Sequence, residues 1–379
     1  MNRKRKGIII GVVVAAVIIF AFIVAIVVIN VNTTFQMGIS SVIGPAGIII
    51  AAAIGGITGV SSKKKSAGKS KNAKGQGDAE SKENKKSKEG MKSRAEEEIR
   101  DKEKLDIIIR EIKERTKTDF YKIRLEEGPT DIYSSKLGGV PYWDPELEYP
   151  TDPNEHALIL LAQINFEKEK FDDERLPQKG MLQFFIANDD CYGCDYGSER
   201  FYDDKQEKWR AVYHEVIKEG LTEEDIMKLD ILTHKTTTVE SPMDREMEPV
   251  ALRFEKREGC MSTGDYRFEG LYESILKEKF GEEMDERHWY NPLNNAEFDY
   301  ITKAIDTWGH KMLGYPNFAQ WDPRREGVPY DMLLLEIESE KVGSKWIMWG
   351  DMGVANFFIN SESLKNKDFS RIAYTWDCG

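Results

Sequence analysis

Four cysteines, five histidines and a group of tryptophans beside carboxylates are the residues of this 379-residue chain whose types and spacing suit chemistry. Cys191-Tyr192-Gly193-Cys194 has the spacing of a redox or zinc motif. A zinc knuckle needs a second ligand pair, and the other two cysteines, Cys260 and Cys378, lie far apart. A thioredoxin-like motif opens a helix after a strand, whereas this one follows the turn-like Asn188-Asp189-Asp190. Loop cysteines are therefore expected, with a four-thiolate metal site as the minority option. His156, His214, His234, His288 and His310 are scattered, and none builds a His-Glu-x-x-His zinc motif. There is no Gly-x-Ser-x-Gly elbow and no phosphate-binding Gly-x-x-x-x-Gly-Lys loop. His310 stands out because it precedes Gly314-Tyr315-Pro316; a histidine hydrogen-bonded within a turn is expected ahead of a catalytic base.

The other cluster is Gln320, Asp322, Arg324, Trp349, Asp351, Trp376 and Asp377. Tryptophan beside carboxylates makes a pocket with an apolar wall and oriented acceptors, suited to a sugar, an amine or a peptide segment. A carboxyl against tryptophan can also hold its proton and act as an acid. The competing expectation is structural: Asp-Pro and Gly-Asp are ordinary turn pairs, and Arg324 would satisfy a buried carboxylate. Asp144-Pro145 reads as the first-half counterpart of Asp322-Pro323, which favours the structural reading. Nothing in these motifs calls for a cofactor, and nothing specifies a reaction.

The elements that must position these residues come in two copies. Leu160-Leu161-Ala162-Gln163-Ile164 followed by Gly180-Met181-Leu182-Gln183-Phe184-Phe185-Ile186 reappears 173 positions later. There it reads Leu333-Leu334-Leu335-Glu336-Ile337, then Gly353-Val354-Ala355-Asn356-Phe357-Phe358-Ile359. Short apolar runs bounded by Gly, Pro, Asn and Asp favour strands, so a mainly β domain of two repeated halves is expected. Helices are expected at its periphery. Leu105, Ile108, Ile109 and Ile112 recur at helical spacing between Ala95 and Arg115. Thr222 and Asp225 mark a helix start, with Leu221 packing on Ile226, and Asp265 to Phe280 is a helical run ending at Gly281.

Charge divides the chain. Residues 1–100 hold 17 Lys/Arg against 7 Asp/Glu, a balance of +10; against −12 for the whole, residues 101–379 carry −22. So acidic a body repels phosphate backbones, which excludes nucleic acid as its natural partner. Residues 1–6 are basic, Gly7 to Ser62 contains no charged residue, and Lys63-Lys64-Lys65 follows. Ile8 to Ile29 is long enough to cross a ~30 Å hydrocarbon core as a helix, longer than a signal peptide's apolar region. Met37 to Val60 is richer in Gly and Ala, and the bend between contains Asn30-Val31-Asn32. Basic flanks on both sides predict a two-pass hairpin over 7–62 (spans near 8–29 and 37–60) with both ends cytoplasmic. One span plus a surface-lying segment is the alternative. Residues 63–94 form an expected Lys/Ser/Gly/Glu tether, whose Lys63 to Lys74 part suits contact with anionic lipid. An amphipathic helix over 95–116 then leads into the folded body, 117–379.

Within that body, one series of segments carries a resemblance. It consists of Leu137-Gly138-Gly139-Val140-Pro141-Tyr142-Trp143, Leu160 to Phe166, Gly180 to Ile186, Gly309 to Pro316, Gln320 to Arg324, Trp349 to Phe358, and Asp368-Phe369-Ser370. In this order they resemble the YwqG-like family of bacterial proteins, over about Asp119 to Cys378. The resemblance implies a mainly β, roll-like domain of two related halves and brings no catalytic residues. It also implies a soluble protein, so the apolar opening is a departure. The expectation for function is a membrane-anchored cytoplasmic module that binds a protein or a small ligand, an immunity-type protein being one form. An enzyme using Asp322 and Asp351 in a Trp-lined cleft is the alternative.

Overall fold

The computed structural model describes residues 98–194, 205–229, 241–244, 247–284 and 288–379. The basic start, the uncharged segment 7–62 and the tether 63–94 fall outside them. Among the described residues no helix is long and apolar enough to cross a membrane.

The first half of the sheet comprises β1 (Thr118–Glu126), β2 (Lys136–Leu137), β3 (Ile159–Asn165), β4 (Met181–Ile186) and β5 (Trp209–His214). The second half comprises β6 (Val250–Gly259), β7 (Lys311–Leu313) and β8 (Met332–Glu338), then a small hairpin of β9 (Glu340–Val342) and β10 (Lys345–Ile347). It ends with β11 (Val354–Ile359) and β12 (Ile372–Asp377). All but the hairpin form one ten-stranded antiparallel sheet in the order β12-β11-β8-β7-β1-β6-β2-β3-β4-β5. The order is palindromic if β1 is equated with β6, β2 with β7, β3 with β8, β4 with β11 and β5 with β12. The halves exchange their first strands: β1 lies beside β7 and β6 beside β2, with β1 and β6 paired along their full lengths between them.

The duplication extends to irregularities. The β3–β4 register skips Leu161, and the β8–β11 register skips Leu334, its equivalent 173 positions on. A bulge adds local twist and bends its strand. The sheet accordingly curls into a nearly closed, barrel-like form, with Trp209 of β5 and Tyr374 of β12 bringing their rings to 5.7 Å. Leu182, Phe184 and Ile186 face the interior with Ala355, Phe357 and Ile359, and the Phe184 and Phe357 rings meet at 4.7 Å. Because the interior and the outer faces are both covered, β4 and β11 are buried at every position.

Helices lie outside. The α1 helix (Lys102–Thr116) is capped by Asp101, and α2 (Glu223–Met227) has a capping box of Thr222 and Asp225. The α3 helix (Phe268–Phe280) stops at left-handed Gly281, so Asp265 to Arg267 form the turn before it rather than its first residues. The α4 helix (Asn295–Ile305), which the strand reading passed over, starts with a capping box of Asn294 and Glu297. Leu105, Ile108 and Ile112 of α1, Phe268 and Ile275 of α3, and Ile301 of α4 share a second core. The last helix, α5 (Ser361–Lys365), is a single turn held by Asn360.

Candidate functional site

The Asp322–Arg324 segment is a buried ion network. Arg324 is 3% exposed and its guanidinium reaches Asp322 at 2.7 Å and Asp265 at 3.0 Å. It also lies 4.1 Å from the Phe358 ring centroid and 5.2 Å from that of Tyr266. Asp322 accepts from the backbone N–H of Arg324 and of Tyr266. Burial raises the Asp322 carboxyl above its ordinary range and outweighs Arg324. Asp265 is also pushed up by burial, but Arg267 and Arg324 together hold it below that range. The network ties the turn before α3 to the strand-connecting loop after β7. Its charges are spent on one another.

Gln320 and Asp377 are neighbours. The Asp377 carboxylate accepts from the backbone N–H of Ala319 and Gln320, and Gln320 Nε2 donates to the Cys378 carbonyl. Burial pushes the Asp377 carboxyl up to about 6. Trp376 donates its indole N–H to the Cys191 carbonyl at 2.7 Å, and Tyr192 packs between Trp376 and Trp349. Trp349 is fully buried in the barrel interior, and its indole N–H has no partner among the described residues. Asp351 is exposed; its backbone carbonyl accepts from Gly379, and no ion pair or hydrogen bond joins its carboxylate to Asp322. Trp321, between Gln320 and Asp322, is 65% exposed.

His310 is 2% exposed. Its Nδ1 accepts the Glu338 backbone N–H at 2.9 Å, so the proton sits on Nε2 and is donated to Glu340 at 2.7 Å. The ring thus braces the β8–β9 corner, a bond to a distant segment rather than the one within its own turn that was expected. The four cysteines are not gathered. Cys194 and Cys378 border the barrel interior and Cys191 is half-buried, whereas Cys260 is buried in the helical core with its thiol against the Ile305 carbonyl. Among the described residues no group of three or more His, Cys, Asp or Glu is placed to hold a metal ion. The minority four-thiolate option fails because Cys260, just after β6, packs in the helical core and not with the other cysteines.

The strand equivalence exposes a site that motif reading missed. Lys136 to Trp143 and Lys311 to Phe318 superpose 175 positions apart, with Gly139 on Gly314 and Pro141 on Pro316. Gly138 and Leu313 share a positive φ (68° and 62°), and so do Gly139 and Gly314 (73° and 75°). In this register Asp144 falls on Ala319, which corrects its pairing with Asp322; the Asp144 carboxylate instead holds the Glu146 N–H and Lys218. Each half carries the same outward clamp on its strands. In the first, Tyr142 donates its backbone N–H to Gln163 and accepts from the Gln183 amide at 2.7 Å. In the second, Asn317 donates to Glu336 at 2.7 Å and accepts from the Asn356 amide at 2.9 Å.

The halves differ in charge at one place. Lys311 faces Glu336 across β7 and β8 and pairs with it at 2.9 Å, both side chains being almost wholly buried. Burial pushes the Glu336 carboxyl up to about 7 against the pull of Lys311. Lys136 faces Gln163 across β2 and β3, is 2% exposed, and donates to the Val140 carbonyl at 2.7 Å. Gln163 offers no charge, and its amide is committed to the Ile132 and Ser134 carbonyls. Burial pulls the Lys136 ammonium down to about 8 against the pull of Glu223 and Asp131, neither of which forms an ion pair with it. Lys136 lines a cavity of about 680 Å³ walled by Val140, Met247, Val250 and Val342. Glu127, Glu223 and Glu248, all exposed, and Lys345 complete the wall.

Residues 135–378 match the family model described as a domain of unknown function, DUF1963. The chain belongs to the DUF1963 family. The match begins beside Lys136 and ends beside Asp377, so DUF1963 covers both repeated halves from β2 to β12 while α1 and β1 precede it. No curated protein matches the chain.

Lys136 left no mark as a motif. The signal that finds it is comparative: two Lys-x-x-Gly-x-Pro segments, one followed by Glu336 and the other by Gln163 at the matching strand position.

Proposed function

We propose that this protein is a membrane-tethered cytoplasmic module that binds a small ligand in the Lys136 cavity. The observation that carries the reading is a nearly fully buried lysine without an internal counter-charge, opening on a cavity of about 680 Å³. That volume lies within the roughly 300–1,000 Å³ of small-molecule sites, and its mixed apolar and charged wall is of the usual kind. The likeness to YwqG-like proteins agrees with it, since that resemblance supplies no catalytic set. A paired-carboxylate enzyme has less support, because Asp322 is buried and engaged by Arg324 and the Tyr266 backbone, whereas Asp351 is exposed. Gln320 and Trp321, both exposed, remain a candidate second contact surface, whereas Trp349 and Trp376 are buried.

The tether is supported by the uncharged 56 residues from Gly7 to Ser62 between basic flanks. Lys63 to Lys74 would rest on anionic lipid, and the acidic body would stand off it. The full chain is expected to sediment with membranes and to resist carbonate extraction, with a reporter after Gly379 active only in the cytoplasm. Release by carbonate, or a reporter active only outside, would refute the anchorage or the orientation respectively. For binding, the full chain in detergent micelles is screened by thermal shift against sugars, amines, carboxylates and zwitterions. A hit should vanish in Val140→Trp, which fills the cavity. A screen without hits, or hits indifferent to that substitution, would refute the cavity as the binding site.

A further inference from the structure

The second half of the molecule shows what a lysine at this strand position accepts: the carboxylate of Glu336, 2.9 Å from Lys311. The first half keeps the lysine and the clamp but replaces the acid by Gln163. An ammonium desolvated without a counter-charge costs several kcal/mol, of which the hydrogen bond to the Val140 carbonyl offsets only part. A carboxylate arriving from outside would restore the missing counter-charge. Around the mouth the balance reverses. Glu127, Glu223 and Glu248 are exposed there and outnumber Lys345, so a ligand that is only an anion would be repelled on entry.

We infer that the cavity takes an amino-acid-type zwitterion, its carboxylate on Lys136 and its ammonium among the acidic residues of the rim. Val140, Met247, Val250 and Val342 would meet its apolar part. This rests on the cavity being the binding site, as proposed above. A free amino acid and the carboxyl-terminal end of a short peptide carry the same chemistry, and about 680 Å³ admits either.

The test is isothermal titration of the full chain in micelles at pH 7 with pools of the twenty free amino acids and of dipeptides. Each hit is repeated as its carboxamide, as the matching acid without the amine, and as the matching amine without the carboxyl. The zwitterion should bind at least tenfold more tightly than its carboxamide and than the amine-free acid. Lys136→Met should weaken the zwitterion at least tenfold and abolish its advantage over the carboxamide, while the variant's urea midpoint stays at or above that of the wild type. Titration at pH 8.5 in buffers of different ionisation enthalpy should show proton uptake on binding, because the carboxylate restores the Lys136 proton; the share of that uptake lost in Lys136→Met belongs to the lysine, and a merely structural lysine would contribute none. Preference for the dipeptides points to a peptide terminus, and equal or better binding of the single residues points to a free amino acid. Equal affinity for zwitterion and carboxamide, or an unaffected Lys136→Met, overturns the inference. If sugars or simple amines bind and Val140→Trp blocks them, the cavity stands as a site and only the ligand class falls. If nothing binds, both fall.

Discussion

Lys136 and Lys311 occupy equivalent positions with opposite energetic consequences. Removing Lys311 leaves Glu336 as a buried carboxylate without its cation, so Lys311→Met should cost about 3–5 kcal/mol in urea denaturation. Removing Lys136 strands no partner charge, and a methionine fills the same volume. Lys136→Met should therefore be neutral or stabilising, and a loss as large as that at position 311 would mean an unseen internal counter-charge. The pH dependence follows the same logic. The folded Lys136 titrates near 8 against 10.5 for the free side chain, so between those values the unfolded chain holds more proton. Stability should then rise with pH across that window, by up to about 3 kcal/mol for this group. Below about pH 8 the residue contributes no slope. The difference between wild type and Lys136→Met, taken from urea midpoints at pH 7 to 10.5, isolates the effect; a constant difference would show that Lys136 keeps its ordinary affinity for protons.

At the scale of the elements, the repeat is visible in how strands touch. Gly180 and Gly353, 173 positions apart, each sit against the carbonyl of the neighbouring edge strand. A Cβ on Gly180 would meet the His214 carbonyl at 2.3 Å, and one on Gly353 would come still closer to the Asp377 carbonyl. Both neighbours are backbone and cannot swing aside. Gly180→Ala and Gly353→Ala should each destabilise by more than about 2 kcal/mol in thermal unfolding. An alanine tolerated at either position would show that β5 or β12 is free to shift away. The sequence showed these glycines at matching places and the Phe-Phe-Ile runs beside them. It also showed the faces of α1 and α3, because a 3.6-residue period needs only local spacing. The α4 helix was legible too, in Asn294 followed by Glu297 and then Phe298, Ile301 and Ile305, but short apolar runs among turn residues read equally well as strands.

For the whole molecule, the exchange of β1 and β6 between halves makes neither half complete. A fragment ending near residue 229 has β1 without β6 or β7, and one beginning at Val250 has β6 without β1 or β2. Each fragment alone should lack a cooperative melting transition in near-ultraviolet circular dichroism, whereas residues 98–379 should unfold in one step. A half that melted cooperatively by itself would refute the strand exchange as a requirement for folding. The Phe184–Phe357 contact inside the barrel acts in the same direction, since each half buries its apolar strand face only against the other.

By itself the sequence determined the division into an uncharged opening, a Lys-rich stretch and an acidic remainder, because composition and charge are properties of the chain and not of its folding. It determined the duplication as well, since the spacing of apolar residues along a strand survives in one dimension. Which residues would share a site was decided only in three dimensions. Asp322 and Asp351 look like a pair in sequence, yet Asp322 is claimed by Arg324, a choice made by burial and by the arrival of Tyr266 from another segment. Lys136 looks like any lysine before a turn. It became a candidate only when β2 was laid between β3 and β6, where the side chain is buried beside a cavity and Gln163 supplies no charge.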